Sequence, residues 1–131
     1  MAINLASLSK NTIKPPRIII HGEPGIGKTT FGACAESPVL IQTEDGLGSL
    51  DATAFPLAHS FGEVIEAIGS LYTEDHEFKT LVVDSLDWLE PLVWQQVCTA
   101  NKVESIEKMS FGKGYVEALS VWRQFFDGIT A

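Results

Sequence analysis

Residues 17–30 read RIIIHGEPGIGKTT, and the rest of the chain is interpreted from this stretch. Its second half fits the pattern G-x-x-x-x-G-K-[ST]. The fixed positions are Gly22, Gly27, Lys28 and Thr29. Its first half is an apolar, β-branched run that predicts a buried strand at 17–21. Because residues 29–35 are suited to begin a helix, the context also matches: a strand, a glycine-rich loop and a helix.

Each residue type in this loop has a use in binding phosphate. Glycines let backbone N–H groups turn toward an anion, and the start of a helix adds partial positive charge. Lys28 is placed to reach β- and γ-phosphates, and the Thr29 hydroxyl to bind Mg²⁺. A turn that merely enters a helix has no need of Lys-Thr after Gly27, so the sequence predicts a site for a nucleoside triphosphate. The predicted lining residues are Gly22, Glu23, Pro24, Gly25, Ile26, Gly27, Lys28, Thr29 and Thr30.

Composition narrows the class of protein. The 131 residues predict one domain with a sizeable core. The net charge of −8 argues against a nucleic-acid site made by a general basic surface. Apolar runs are far shorter than a membrane span, so no membrane partner is expected. Cys34 and Cys98 lack metal or redox spacing and are expected to be buried free thiols in a reducing cytoplasm.

The order of elements predicts an α/β fold. Residues 1–16 end in two prolines and are interpreted as an N-terminal arm that leads into a domain at 17–131. Strands are predicted at 17–21, 39–43 and 80–84, and helices at 29–35, 60–72, 87–101 and 115–127. Alternating strands and helices predict a parallel sheet with helices on both faces. The last helix places Val116, Leu119, Trp122, Phe125 and Phe126 on one side, which is interpreted as a core or oligomer face.

Two acidic residues follow predicted strands. Asp84 ends an otherwise apolar strand, the context of a Walker B aspartate, and is expected to hold Mg²⁺ beside Thr29. Glu44 comes at the end of the second strand and is the best candidate to orient the water that attacks the γ-phosphate. Asp45 is its immediate competitor, and both acids could instead solvate a loop. Ser85 could join the Asp84 network or simply begin a turn.

Four segments together resemble the phage-encoded nucleotide-binding AAA-type ATPases, which are RecA-like P-loop proteins. They are residues 22–30, 42–46 (QTEDG), 81–85 (LVVDS) and 111–115 (FGKGY). The resemblance implies a RecA-like fold, ATP and Mg²⁺ as cofactors, and Glu44 at the position of the catalytic glutamate. It also implies a role in DNA recombination or single-strand annealing. It further implies single-stranded DNA as a partner, a homo-oligomer of the full-length protein and a location in the bacterial host cytoplasm.

The resemblance also contains a departure. RecA-like sheets place a further strand between the loop strand and the Walker B strand, and that strand comes later in the sequence. The chain stops after the helix that would lead into it, so we expect a C-terminally truncated, partial P-loop domain that lacks later core strands. The strands at 17–21 and 80–84 are then expected to lack a ladder partner.

Other functions compete with an ATPase. A non-hydrolysing nucleotide switch or assembly subunit uses the same loop. A small-molecule kinase would need a lid with arginines, and the only arginines are Arg17 and Arg123, neither in an obvious lid. A GTPase is disfavoured because no guanine-reading N-K-x-D segment is present; the nearest stretch begins at Asn101 and has Glu104 where Asp is expected.

Overall fold

The protein is described from a computed structural model that covers residues 2–131. The α-helices are α1 (Lys28–Ala33), α2 (Phe61–Thr73), α3 (Leu86–Asn101) and α4 (Lys113–Thr130), and the strands are β1 (Pro38–Gln42) and β2 (Thr80–Asp84). Short 3-10 helices occupy Leu5–Ser7, Ile106–Lys108 and Ser110–Gly112. The result is an α/β architecture, as predicted.

The sheet consists of two parallel strands. The register pairs Pro38 with Thr80 and Gln42 with Asp84, so both strands end at the same level. The other edge of β1 is covered by an irregular segment, residues 53–58. It is held by three backbone hydrogen bonds: Leu40 N to Thr53 O at 2.9 Å, Phe55 N to Leu40 O at 2.8 Å and Ala58 N to Gln42 O at 2.9 Å. Within residues 2–131 the outer edge of β2 carries no strand.

Helices cover both faces of this sheet. Side chains alternate between the two faces of a strand. Leu81 and Val83 therefore point to one face, where they pack against the core formed with α2, α3 and α4. Val82 points to the other face, toward Gly32 of α1. The predicted layering of helices on both faces is present around a sheet of two strands.

The helices begin and end largely where the sequence predicts. Ser60 accepts a hydrogen bond from Glu63 N at 3.2 Å and caps α2. The Glu63 carboxylate reaches the backbone N–H of His59 at 2.5 Å, one residue before the expected partner. α3 ends at Asn101, as predicted, and buries Leu89, Val93 and Val97. The caps set the start of α2, and the buried residues of α3 belong to the core.

The predicted strand at 17–21 is wrong. Residues 17–21 are not part of the sheet, and Ile18 and Ile19 are 67% and 74% exposed. A strand needs a hydrogen-bonded neighbour. The outer edge of β1 is taken by residues 53–58, and no backbone hydrogen bond joins residues 17–21 to β2 in the described part of the chain. The β-branched run therefore has strand propensity but no partner.

The buried side of α4 differs from the predicted one. The buried residues of α4 are Gly114, Ala118 and Phe125, while Val116 and Leu119 are 66% and 54% exposed. The buried stripe is rotated because a glycine lets α4 approach Ile106 closely: a Cβ on Gly114 would lie 2.5 Å from Ile106 Cγ1.

The two cysteines are free thiols, but they are not both buried. Cys34 is exposed and Cys98 is half-buried. Cys34 directly follows the short helix α1. No helix within residues 2–131 has the length and apolar character needed to cross a membrane.

Candidate functional site

The glycine-rich loop adopts a backbone that two of its glycines permit. Gly25 has φ of +83° and Gly27 has φ of +108°, both in the left-handed region that disfavours side chains with a Cβ. Between them, Ile26 N donates a hydrogen bond to Glu23 O at 3.3 Å. Residues 22–27 are exposed, so the loop presents its backbone to solvent at the start of α1.

The side chain of Lys28 is hydrogen-bonded to the backbone of the loop. Its Nζ donates hydrogen bonds to Gly22 O at 2.6 Å and to Glu23 O at 3.0 Å. The ammonium group is thus held over the loop by two carbonyl oxygens, half-buried and close to the loop backbone. The remaining residues predicted to line the site, Pro24, Gly25, Ile26 and Thr30, lie in or just after the same turn and are exposed.

The structure brings together the two residues predicted to hold a metal. Thr29 Oγ1 donates a hydrogen bond to Asp84 Oδ2 at 2.6 Å, and the two residues are 55 positions apart in the chain. Thr29 is the second residue of α1 and Asp84 is the last residue of β2. The loop helix therefore meets the end of β2.

Gly32 allows this contact. A Cβ at position 32 would lie 2.7 Å from Val82 Cγ1, closer than side chains tolerate. The absence of a side chain lets α1 lie directly on β2, two residues from its end. Because Thr29 is one helical turn before Gly32, the close approach at Gly32 carries the Thr29 hydroxyl to Asp84.

Thr43 connects the ends of the two strands and was assigned no role from sequence. Its N–H donates to Asp84 O at 2.8 Å, and its hydroxyl donates to Ser85 O at 2.6 Å. The same hydroxyl accepts from Ser85 N at 2.8 Å. The signal in the sequence was a hydroxyl directly after an apolar strand. When such a group is buried, it needs hydrogen-bond partners.

Glu44 lies two residues beyond the last residue of β1, at the end of the sheet where Asp84 also lies. It is half-buried, whereas its competitor Asp45 is exposed. Among residues 2–131 the Glu44 carboxylate makes no hydrogen bond or ion pair with another side chain or with the backbone. It is therefore available to a ligand.

The oxygen groups at this site fit Mg²⁺. Thr29 Oγ1 and Asp84 Oδ2 are adjacent hard oxygen donors, the type that Mg²⁺ prefers. Next to Asp84, Ser85 Oγ is buried and has no hydrogen-bond partner in residues 2–131, so an unused hydroxyl lies at the same end of β2. The described residues hold no group of three or more His, Cys, Asp or Glu side chains that would form a cage. This suits a cation that is bound by few side chains and by substrate phosphates.

Comparison with known proteins gives the family of the chain. No curated protein and no solved structure matches it. The family model described as AAA domain matches residues 14–131, which include the glycine-rich loop, both strands and all of the residues described above. AAA domains are nucleotide-binding ATPase domains of the P-loop type. The chain belongs to the AAA domain family.

Proposed function

We propose that this chain binds ATP with Mg²⁺ on residues 22–30 and hydrolyses the bond between its β- and γ-phosphates. The observation that carries the proposal is the hydrogen bond between Thr29 and Asp84 at 2.6 Å. It places a hydroxyl and a carboxylate beside the loop, as a metal-assisted phosphate site requires. A glycine-rich turn without this function has no reason to pair its second helical residue with the end of a strand.

The loop and Lys28 bind the phosphates in this proposal. Residues 22–27 are exposed, and their backbone N–H groups bind the anion in this proposal, except at Pro24, which has none, and at Ile26, whose N–H donates to Glu23 O. Lys28 Nζ already lies over the loop, bonded to Gly22 O and Glu23 O. It exchanges these carbonyl partners for β- and γ-phosphate oxygens, which are stronger partners because both groups are charged.

Thr29 and Asp84 would hold the metal ion, with Ser85 Oγ next to them. When bound, Mg²⁺ would supply positive charge to offset the charge that develops on the phosphates. Glu44 orients the attacking water and accepts its proton. Its carboxylate is half-buried, free of other partners and at the same end of the sheet as Asp84. The proposal thus divides the chemistry among the start of α1, the end of β2 and the segment that follows β1.

The finer parts of the proposal rest on the sequence resemblance. They are a RecA-like arrangement of the domain at 17–131, with residues 1–16 as an arm, and a role in phage or prophage recombination or single-strand annealing. They also include single-stranded DNA as a partner and self-assembly of the full-length protein. The exposed side of α4, with Val116 66% and Leu119 54% exposed, gives an apolar surface that is compatible with assembly.

Calorimetric titration of the chain with MgATP tests the proposal. The parent chain is expected to bind in the micromolar range, and Lys28→Ala to weaken binding at least about tenfold, because a charge-assisted contact to phosphate is lost. Lys79→Ala is the matched control: Lys79 pairs with Glu36 at the opposite end of the sheet. Phosphate release is followed in the same samples, with and without single-stranded DNA. No binding by the parent chain, or equal loss in both variants, contradicts the proposal.

A nucleotide switch that does not hydrolyse ATP is the second candidate. It is favoured by one observation: within residues 2–131 no hydrogen bond orients the Glu44 carboxylate, whereas Lys28, Thr29 and Asp84 are each held by a partner. Binding without phosphate release, with or without DNA, supports this candidate over the ATPase.

A further inference from the structure

Thr43 is the one polar residue within residues 2–131 that is buried as a whole, with 7% of its surface exposed. We infer that Thr43 is a positioning residue that fixes Asp84 and Glu44 relative to one another and so makes nucleotide binding depend on Mg²⁺. The inference rests on the proposed function of the site, and it adds a residue outside the glycine-rich loop. The Thr43 hydroxyl bonds to Ser85 N and Ser85 O, so Thr43 acts through the backbone next to Asp84.

Three hydrogen bonds join Thr43 to the peptide units of Asp84 and Ser85. Its N–H donates to Asp84 O at 2.8 Å, which continues the ladder between the strands by one step. Its hydroxyl then accepts from Ser85 N at 2.8 Å and donates to Ser85 O at 2.6 Å. One threonine thus fixes the backbone on both sides of the peptide that follows Asp84.

Two threonines hold Asp84. Thr29 fixes the Asp84 carboxylate through a bond of 2.6 Å, and Thr43 fixes the Asp84 backbone. Glu44 follows Thr43 directly in the chain, so the same anchor sets where Glu44 begins. Without the hydroxyl, the part-buried Ser85 N–H loses its acceptor, and only the backbone bond from Thr43 N to Asp84 O still joins the two strand ends at this level. A displacement of about 1 Å in a catalytic constellation costs up to about a hundredfold in rate.

A second threonine in the same strand pair provides a matched control. Thr80 begins β2, and its hydroxyl donates to Glu36 O at 2.8 Å. It therefore makes the same type of side-chain bond between neighbouring segments, but at the end of the sheet away from Asp84. A purely structural role for Thr43 predicts that its loss resembles the loss of Thr80.

The test measures ATP affinity by calorimetry in Mg²⁺ and in EDTA for four chains: the parent, Thr43→Val, Thr43→Ser and Thr80→Val. Valine keeps the shape of threonine and removes the hydroxyl, whereas serine keeps the hydroxyl. We expect Thr43→Val to weaken binding about tenfold in Mg²⁺ and less than about twofold in EDTA, the loss typical of one or two hydrogen bonds. Thr43→Ser and Thr80→Val are expected to keep the ratio of the two affinities that the parent shows.

Each outcome decides the inference. Equal losses in Mg²⁺ and in EDTA, or the same loss in Thr80→Val, would assign Thr43 a structural role only. If circular dichroism shows Thr43→Val to be unfolded, Thr43→Cys replaces it, because a thiol keeps the volume and is only a weak donor. Absence of nucleotide binding by the parent chain overturns the proposed function, and the inference fails with it. If the parent binds ATP, and Thr43→Val keeps the parent's ratio of the affinity in Mg²⁺ to the affinity in EDTA, the inference alone is overturned.

Discussion

At the scale of single residues, the proposed ATPase assigns the activation of water to Glu44. Glu44→Gln keeps the shape and removes the group that accepts a proton. We expect phosphate release to fall about 10²- to 10⁴-fold, the range for loss of a general base, while MgATP affinity changes less than about threefold. Malachite-green release assays and calorimetry on the same samples measure the two quantities.

The neighbouring acid is the control for Glu44. Asp45→Asn changes an exposed carboxylate one residue away. It is expected to leave phosphate release within about twofold of the parent, since a solvated acid contributes little. If phosphate release falls in Asp45→Asn instead, Asp45 rather than Glu44 activates the water. Unchanged release in both variants would leave water activation to neither acid.

Candidate site residues could be predicted from the sequence only where a local signal exists. The loop, Lys28, Thr29 and Asp84 were predicted, because a fixed spacing and an acid after an apolar strand are visible in the sequence. The structure brings Thr29 and Asp84 into contact. Thr43 has only a weaker signal, a hydroxyl directly after an apolar strand, and its bond to Ser85 depends on where both strands end.

At the scale of elements, the contact between α1 and β2 depends on Gly32. An alanine in a helix normally stabilises it by about 0.5–1 kcal/mol relative to glycine. Here the new Cβ would lie 2.7 Å from Val82 Cγ1, so α1 or Val82 must move. We expect Gly32→Ala to lower the free energy of unfolding by about 1–3 kcal/mol, the cost of overpacking, and to weaken MgATP binding as Thr29 leaves Asp84.

Gly69 supplies the control for this prediction. It lies within α2, and a Cβ there would meet nothing within 4 Å. Gly69→Ala is expected to stabilise the chain by about 0.5–1 kcal/mol in urea unfolding. Adding Val82→Ala to Gly32→Ala removes the clashing Cγ1 and should restore MgATP affinity. A stabilising Gly32→Ala would contradict the close contact.

Sequence predicted elements better than it predicted their partners. The strands at 39–43 and 80–84 and all of the major helices were found with shifts of a few residues, because hydrophobic periodicity is a local property. The strand at 17–21 was wrong because pairing is not local: residues 53–58 occupy the outer edge of β1, and residues 17–21 do not pair with the open edge of β2. The buried side of α4 was also misplaced, since the approach of Gly114 to Ile106 depends on tertiary packing.

At the scale of the whole molecule, the helical layer stabilises the sheet. Two strands alone are marginal in water. The core joins Ile41 of β1 to α2, α3 and α4, and Phe125 is its largest fully buried side chain, 1% exposed. Phe125 also contacts Trp122 and Phe126, with ring centroids 6.1 and 5.3 Å apart. The core on which the sheet packs therefore includes a side chain of α4.

This dependence predicts a global effect from a residue far from the loop in sequence. Phe125→Ala removes a buried ring and leaves a cavity, which costs about 3–5 kcal/mol and lowers the melting temperature by about 10–20 °C. Phe126→Ala is the matched control: its ring is 39% exposed, so a loss of about 1–2 kcal/mol is expected. Thermal unfolding is followed by far-ultraviolet circular dichroism and by tryptophan fluorescence. Because sheet and helices share this core, both signals should change together at the lower temperature. Separate transitions, or equal losses in the two variants, would mean that the sheet is stabilised without the α4 core.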